Sequence, residues 1–306
     1  MLQVKGLTFS YLKTAVIQNI SFTLKAGDHL SVIGESGSGK STLLKLIYGE
    51  YDLDEGEIFW KDQQILGPKY NLVIGYDFMK YVAQEFDLMP FVTVSENIGK
   101  HLSNFYPNEK QDRIDELIEV VELQDFANTK VKLLSGGQKQ RVALARALAK
   151  QPEIILLDEP FSHIDNFKKQ SLRRSLFRYL KAKNISCIVA THDKSDVLGF
   201  ADRIIVLNDT KIIANEDPQT LYKNPRRPLI ASFFDEFNYI EPLGLVYAHQ
   251  LIIVSHSGQN AVVKSSYFNG RCFLIEATYK DQTILLEHNE DLEAGTIFHF
   301  KIEPLN

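Results

Sequence analysis

Cysteine is scarce in this chain. Only Cys187 and Cys272 occur among its 306 residues, and neither has a second cysteine near enough to form a CxxC pair. Each lies in an apolar, strand-like run, so metal binding or redox chemistry through these thiols is not expected. We expect both to be buried free thiols, as is usual in a reducing compartment.

Long apolar runs and an excess of positive charge are also missing. No segment approaches the roughly 20 apolar residues that a membrane-spanning helix needs, and the N-terminal MLQVKGLTFSY lacks the pattern of a signal peptide. The 34 basic and 39 acidic side chains give a net charge of −5, which argues against binding nucleic acid by bulk phosphate attraction. We therefore expect a cytoplasmic protein that does not bind nucleic acid but can still dock on a membrane protein.

The length predicts about two domains, and the texture of the sequence changes around Asn224, where the Pro- and Arg-rich connector NPRRP begins. Before that point apolar strand-like runs alternate with segments of helical period, which is typical of an α/β sheet. From about Glu241 onward, short β-type runs separated by turn residues indicate a small all-β module of oligonucleotide/oligosaccharide-binding (OB) type. The prediction is an α/β domain over residues 1–235, with a helical arm over about 85–150, followed by an all-β tail over 236–306.

A phosphate-binding motif lies early in the chain. Residues 34–41 read GESGSGKS, which matches G-x-x-x-x-G-K-[ST], and the motif is preceded by the apolar run HLSVI and followed by the helical TLLKLI. In such a loop, backbone N–H groups and a helix N-terminus surround phosphate oxygens. Lys40 would reach the β- and γ-phosphates, and Ser41 would bind Mg²⁺.

An acidic pair follows the buried-strand pattern IILL at Asp158 and Glu159. Asp158, at the end of the strand, would hold Mg²⁺ directly or through water. Glu159 is then placed to orient or deprotonate an attacking water. On its own the pair could equally be the start of a solvated loop, so its interpretation depends on the phosphate-binding motif.

Between these two motifs lies LSGGQ at residues 134–138, followed by Lys139-Gln140-Arg141 and an alanine-rich helix. LSGGQ-x-QR resembles the signature of ABC-type ATPases. Ser135 and the two glycines at a helix N-terminus present a hydroxyl and backbone N–H groups to an anion. The resemblance implies a P-loop α/β fold of ABC ATPase type, ATP and Mg²⁺ as cofactors, and a signature that closes over ATP bound by a partner subunit.

Four further positions match the ABC pattern in order. The resemblance implies that Tyr11 stacks on adenine, that Gln84 senses Mg²⁺ and faces the membrane partner, that Asp165 crosses the dimer interface, and that His192 contacts the γ-phosphate. Glu159, His192 and Lys40 are then the predicted catalytic residues, and Ser41, Gln84 and Asp158 the predicted metal ligands. The predicted nucleotide-binding residues are Tyr11, Gly34, Glu35, Ser36, Gly37, Ser38, Gly39, Lys40, Ser41, Thr42, Gln84, Ser135, Gly136, Gly137, Gln138 and Asp165.

The tail resembles the regulatory tail, often called TOBE, of ATPases that serve polyamine, iron(III), sulfate, molybdate or sugar importers. This resemblance implies a homodimer on the inner face of the cell membrane, separate transmembrane permease subunits, and indirectly a substrate-binding protein. The chain departs from the family at His163 and Ile164, where small Ala and Leu are usual, and at Asp209-Thr210, which replaces a glycine turn. The first departure places the local interface geometry in question.

Three alternatives stay open at this level. A soluble ABC ATPase acting on ribosomes or DNA usually has two cores in one chain or a long coiled coil, and the sequence has neither. A regulator that only binds ATP would not need Lys40, Asp158, Glu159 and His192 together. An exporter differs from an importer only by the tail, which is the sole sequence argument for import.

Overall fold

The computed structural model describes residues 1–256 and 258–305, and packing divides them into two compact units, Met1–Pro218 and the residues from Gln219 onward. In chain order the elements of the first unit are β1 (Leu2–Tyr11), β2 (Thr14–Leu24), β3 (His29–Ile33), α1 (Lys40–Tyr48), β4 (Glu55–Trp60), β5 (Gln63–Gln64), β6 (Met79–Val82), α2 (Val94–Gly99), α3 (Pro107–Val120), α4 (Gly136–Leu148), β7 (Ile154–Asp158), α5 (Asn166–Ala182), β8 (Ser186–Ala190), α6 (Lys194–Leu198), β9 (Arg203–Asn208) and β10 (Lys211–Glu216). Those of the second unit are α7 (Pro218–Lys223), α8 (Pro228–Phe234), β11 (Phe237–Ile240), β12 (Gly244–Tyr247), β13 (Leu251–Val254), β14 (Gln259–Phe268), β15 (Phe273–Tyr279), β16 (Gln282–His288) and β17 (Ile297–Ile302).

A six-stranded sheet with the order β10-β9-β3-β8-β7-β6 forms the centre of the first unit. All neighbours in it pair in parallel except β10, which runs antiparallel to β9. Every residue of β3, β7 and β8 is buried, and this explains why those segments read as continuous apolar runs. The predicted α/β class is confirmed, and the carboxyl ends of these strands hold the candidate site.

An antiparallel sheet with the order β2-β1-β4-β5 accompanies the central sheet. Its buried apolar side chains belong to one cluster that also contains side chains of α1 and of the central sheet, among them Leu30, Leu156 and Ile188. Helix α1 therefore packs against both sheets. This packing fixes the start of α1, where the phosphate-binding motif ends.

The helical arm contains α2, α3 and α4, within the predicted range of about 85–150. In α3 the buried positions Ile114, Leu117 and Ile118 form one face, as the i, i+3, i+4 spacing predicts. This face joins a second buried cluster with α4, α5 and the other side of the central sheet. The arm is therefore anchored to the sheet through its apolar stripe.

The second unit contains a β11–β12 hairpin and a five-stranded antiparallel sheet with the order β13-β17-β14-β15-β16. Alternate residues of β15 and β16 are buried in its core, which is the expected period of a half-buried sheet. The predicted β tail is therefore present as an all-antiparallel sheet.

The division at Pro218 falls earlier than the predicted boundary after residue 235. The reason lies in aromatic packing within the second unit: the ring of Tyr222 stacks on Tyr247 with centroids 4.9 Å apart, and Phe234 lies edge-on to Tyr222. Helices α7 and α8 therefore pack with the β tail, although their sequence has the helical texture of the first domain.

Cys187 and Cys272 are both buried free thiols, as predicted, and burial raises the pKa of Cys187. Among the helices within residues 1–256 and 258–305, none is long and apolar enough to cross a membrane.

Candidate functional site

The phosphate-binding loop connects the end of β3 to the start of α1. Gly34 has a φ of +154°, and a Cβ there would lie 2.2 Å from the carbonyl oxygen of Leu207, so a side chain at this position would collide with backbone. The ammonium of Lys40 donates to the carbonyl oxygens of Gly34 and Glu35 at 2.8 and 2.9 Å. Partial burial lowers the pKa of Lys40, while the charges of Glu159 and Asp158 oppose that shift. The loop thus curls around the lysine head group.

Ser41 and Asp158 meet beside this loop, although they are 117 positions apart in the sequence. The hydroxyl of Ser41 donates to Asp158 Oδ1 at 3.0 Å, and Asp158 is only 5% exposed at the end of β7. These are hard oxygen donors, which suit Mg²⁺. Within the described residues no group of three or more His, Cys, Asp and Glu side chains could hold a metal.

The side chains of Glu159 and His192 contact each other beside the phosphate-binding loop. Nδ1 of His192 lies 2.8 Å from Glu159 Oε1, and the side chains of His192 and Glu159 are 73% and 17% exposed. The Glu159 N–H donates to the Ala190 carbonyl at 2.9 Å, and the Glu159 φ of +49° is unusual for a residue with a side chain. The backbone at the end of β7 is therefore held in a conformation that turns the Glu159 carboxylate towards His192.

A cavity of about 570 Å³ collects most of the predicted residues, a volume typical of a small-molecule site. Its lining residues are Tyr11, Val16, Ser36, Gly37, Gly39, Lys40, Ser41, Thr42, Gln84, Glu159, Ser162 and His192. Tyr11 is 43% exposed; its ring lies edge-on to Phe9 at 4.9 Å, and its hydroxyl is 3.4 Å from the Thr42 hydroxyl. An aromatic ring, a phosphate-binding loop and the contacting side chains of Glu159 and His192 thus border one space.

The signature residues lie elsewhere. Ser135 caps α4 in a reciprocal capping box: its hydroxyl accepts from the Gln138 N–H at 3.3 Å, and its own N–H donates to Gln138 Oε1 at 2.8 Å. Asp165 precedes α5 without a side-chain capping bond. Among the described residues that line the cavity, neither LSGGQ nor Asp165 is present, so the structure does not bring these two motifs to the phosphate loop of the same chain.

Gln140 belongs to the LSGGQ-x-QR pattern, but the sequence assigned no role to its side chain. Its Nε2 donates to the Glu159 carbonyl at 2.9 Å, and its Oε1 accepts from the His163 N–H at 3.1 Å. It therefore ties the signature helix to the segment that carries Glu159. The sequence signal that could have revealed this role is a polar residue among the apolar residues of helix α4. In the structure, the Gln140 side chain is buried and only 1% exposed.

His163, the departure noted in the sequence, packs against the signature helix through its backbone. A Cβ at Gly137 would lie 2.6 Å from the His163 carbonyl oxygen. The imidazole lies edge-on to Phe86 at 5.8 Å, and its Nδ1 is 3.2 Å from the Ser162 hydroxyl. In the part of the chain that the structure describes, no hydrogen bond joins the His163 side chain to Glu159 or His192.

Comparison with known proteins gives three kinds of match. Residues 17–162 match the family described as ABC transporter. The Fe(3+) ions import ATP-binding protein FbpC 2 of Haemophilus influenzae is 39% identical over 238 residues, covering 77% of this chain and 67% of that protein. FbpC of Pseudomonas fluorescens is 36% identical over 236 residues, covering 77% and 66%. The dimeric post-hydrolysis structure of the ATP-binding cassette MJ0796 bound to ADP and Pi is 31% identical, with a TM-score of 0.63, and covers 71% of this chain and 99% of that one.

Proposed function

The chain belongs to the ABC transporter family as an ATP-binding, ATP-hydrolysing subunit of importer type, and from this premise we propose how its own residues bind and cleave ATP. The observation that carries the proposal is the cavity bordered by Lys40, Ser41, Glu159 and His192. Loop N–H groups and Lys40 bind the phosphates, and Tyr11 supports the adenine by stacking. Glu159 orients and deprotonates the attacking water, while His192 holds Glu159 and contacts the γ-phosphate.

Ser41, Gln84 and Asp158 would hold Mg²⁺ in this site. Bound Mg²⁺ neutralises charge on the β- and γ-phosphate oxygens. The support for these ligands is the 3.0 Å approach of Ser41 to Asp158 and the position of Gln84 on the same cavity. The hydrogen bond from Ser41 holds the Asp158 carboxylate in place, and a preorganised ligand reduces the reorganisation that binding requires.

A second copy of the chain would complete each site. The capped N-terminus of α4 at Ser135 lies outside the cavity of its own chain, and a helix N-terminus favours an anion. Two copies related by a twofold axis would each supply a phosphate loop and receive a signature from the other, which closes the assembly. The MJ0796 cassette, which this chain resembles, is dimeric.

Transport would require membrane permease subunits on other chains. A second cavity, of about 370 Å³, lies beside Ala83 and Glu85, the neighbours of Gln84. Its cationic lining residues are Lys80, Lys100, Arg146 and Lys150. Because Gln84 borders the nucleotide cavity while its neighbours border this one, we place the permease contact here. The chain would then act in the cytoplasm, on the inner face of the membrane.

Iron(III) is the proposed cargo, delivered by a separate substrate-binding protein. The support is the naming of the relatives at 36% and 39% identity as Fe(3+) import proteins. The site that we describe handles ATP and does not contact cargo, so this assignment depends on the relatives. Uptake of radioactive iron by cells lacking the gene, with and without the restored gene, measures it directly.

The test of the catalytic proposal is Glu159→Gln. The amide preserves shape but cannot accept the proton, so phosphate release should fall by roughly 10² to 10⁴-fold while ATP still binds. The variant should accumulate as an ATP-bound dimer in size-exclusion chromatography. Adding Ser135→Arg should leave ATP binding by the monomer intact and remove the dimer. Phosphate release within a few-fold of wild type would exclude Glu159 as the base.

A further inference from the structure

The two carboxylate oxygens of Asp158 have different partners. Oδ1 accepts from the Ser41 hydroxyl, and Oδ2 accepts from the Tyr81 hydroxyl, each at 3.0 Å. Asp158 is almost fully buried, and a buried carboxylate requires hydrogen-bond partners for both oxygens. Tyr81 supplies the second partner from a strand that is distant in the sequence.

The position of Tyr81 is held by its surroundings. It lies in β6, which pairs in parallel with β7, and its backbone is opposite Leu156. Its ring packs against that of Tyr48 with centroids 5.6 Å apart. A tyrosine hydroxyl can donate a hydrogen bond and an ionised carboxylate can only accept one, so Tyr81 is the donor to Asp158.

We propose that Tyr81 is a positioning residue that fixes the rotation of the Asp158 carboxylate, so that Oδ1 faces Ser41, with which it would hold Mg²⁺. The terminal torsion of an aspartate is otherwise broad. Residues that hydrogen-bond to a metal-binding carboxylate orient it and typically change metal affinity about 10- to 100-fold when they are removed. This inference rests on the proposed role of Asp158 in holding Mg²⁺.

The test compares Tyr81→Phe with Tyr48→Phe. Tyr48 is the matched control, because its ring neighbours Tyr81 and it borders the same second cavity, but no described hydrogen bond joins its hydroxyl to Asp158. Mn²⁺, followed by its EPR signal, is titrated into each chain saturated with a non-hydrolysable ATP analogue. Tyr81→Phe should bind Mn²⁺ at least about tenfold more weakly, and Tyr48→Phe should match wild type within about twofold.

Further measurements separate positioning from folding. Affinity for the analogue without metal should be unchanged in Tyr81→Phe, since the hydroxyl contacts Asp158 and not the phosphate loop. If Tyr81→Phe folds poorly, Tyr81→Met is measured in its place, because methionine is also apolar and lacks the hydroxyl. It should show the same loss of Mn²⁺ affinity. Mn²⁺ affinity within about twofold of wild type in a folded variant would overturn the inference. Absence of Mn²⁺ binding by the wild-type chain would instead contradict the proposed metal site.

Discussion

His29 makes the stability of the first unit dependent on pH. It begins β3, is 2% exposed, and packs against the ring of Phe177 with centroids 5.7 Å apart. Burial lowers the pKa of His29 from 6.5 to about 4; the charge of Lys181 adds to this shift and that of Asp202 opposes it. The unfolded chain therefore takes up this proton at a higher pH than the folded chain. The contribution of neutral His29 to stability is complete above pH 6.5 and is lost as the pH falls from 6.5 towards 4.

The size of the effect follows from the difference between the two pKa values. One unit corresponds to about 1.36 kcal/mol, so the complete loss is about 3 kcal/mol. Between about pH 7.5 and pH 5 roughly 2 kcal/mol of this should be lost, because the unfolded chain becomes protonated while folded His29 stays mostly neutral. Domain stabilities are about 5–15 kcal/mol, so this is a substantial fraction.

Trp60 makes the measurement specific to the first unit. It is the only tryptophan in the chain, and it is buried in β4. Urea unfolding followed by its fluorescence at several pH values from about 7.5 to 5 gives the free energy of unfolding for wild type, His29→Leu and His29→Gln. Other titrating groups contribute equally to all three and cancel in the comparison. Between pH 7.5 and 5 the free energy of unfolding of the wild type should fall by about 2 kcal/mol more than that of either variant. If the free energy of unfolding depends on pH equally in all three proteins, His29 has its ordinary pKa in the folded chain and the reasoning is wrong.

Two further predictions concern backbone contact and domain division. Gly137→Ala should lower the free energy of unfolding by roughly 1–3 kcal/mol, because the new Cβ would lie too close to the His163 carbonyl oxygen. Gly136→Ala is the control and should be neutral or stabilising, because its Cβ would meet nothing nearer than 4.0 Å. Equal effects of the two substitutions in urea unfolding would contradict the packing of Gly137 against His163. A chain ending at Pro218 should remain soluble and bind ATP. A chain ending at Pro242 should aggregate, because it keeps Tyr222 but lacks Tyr247, the ring on which Tyr222 stacks. The reverse order of solubility in sedimentation would contradict the division at Pro218.

Much of the candidate site could be predicted because its motifs are contiguous. A phosphate loop needs glycines and a lysine at fixed spacing between a strand and a helix, and residues 34–41 satisfy that locally. Asp158 and Glu159 can likewise be located from the sequence alone, because they directly follow the apolar run of a buried strand. The capping box also depends on local spacing, since Ser135 and Gln138 are three residues apart. The buried face of α3 was likewise predictable from its period.

Contacts between distant segments were decided only by the tertiary structure. No spacing in the sequence indicates that Tyr81 reaches Asp158 or that Gln140 bridges Glu159 and His163, because strand order and helix docking bring those residues together. The division at Pro218 was missed for a related reason: the local pattern of α7 and α8 predicts helix but not the sheet against which a helix packs. Local spacing thus determined the chemistry that this chain carries, while the packing of strands and helices decided which side chains hold that chemistry in place.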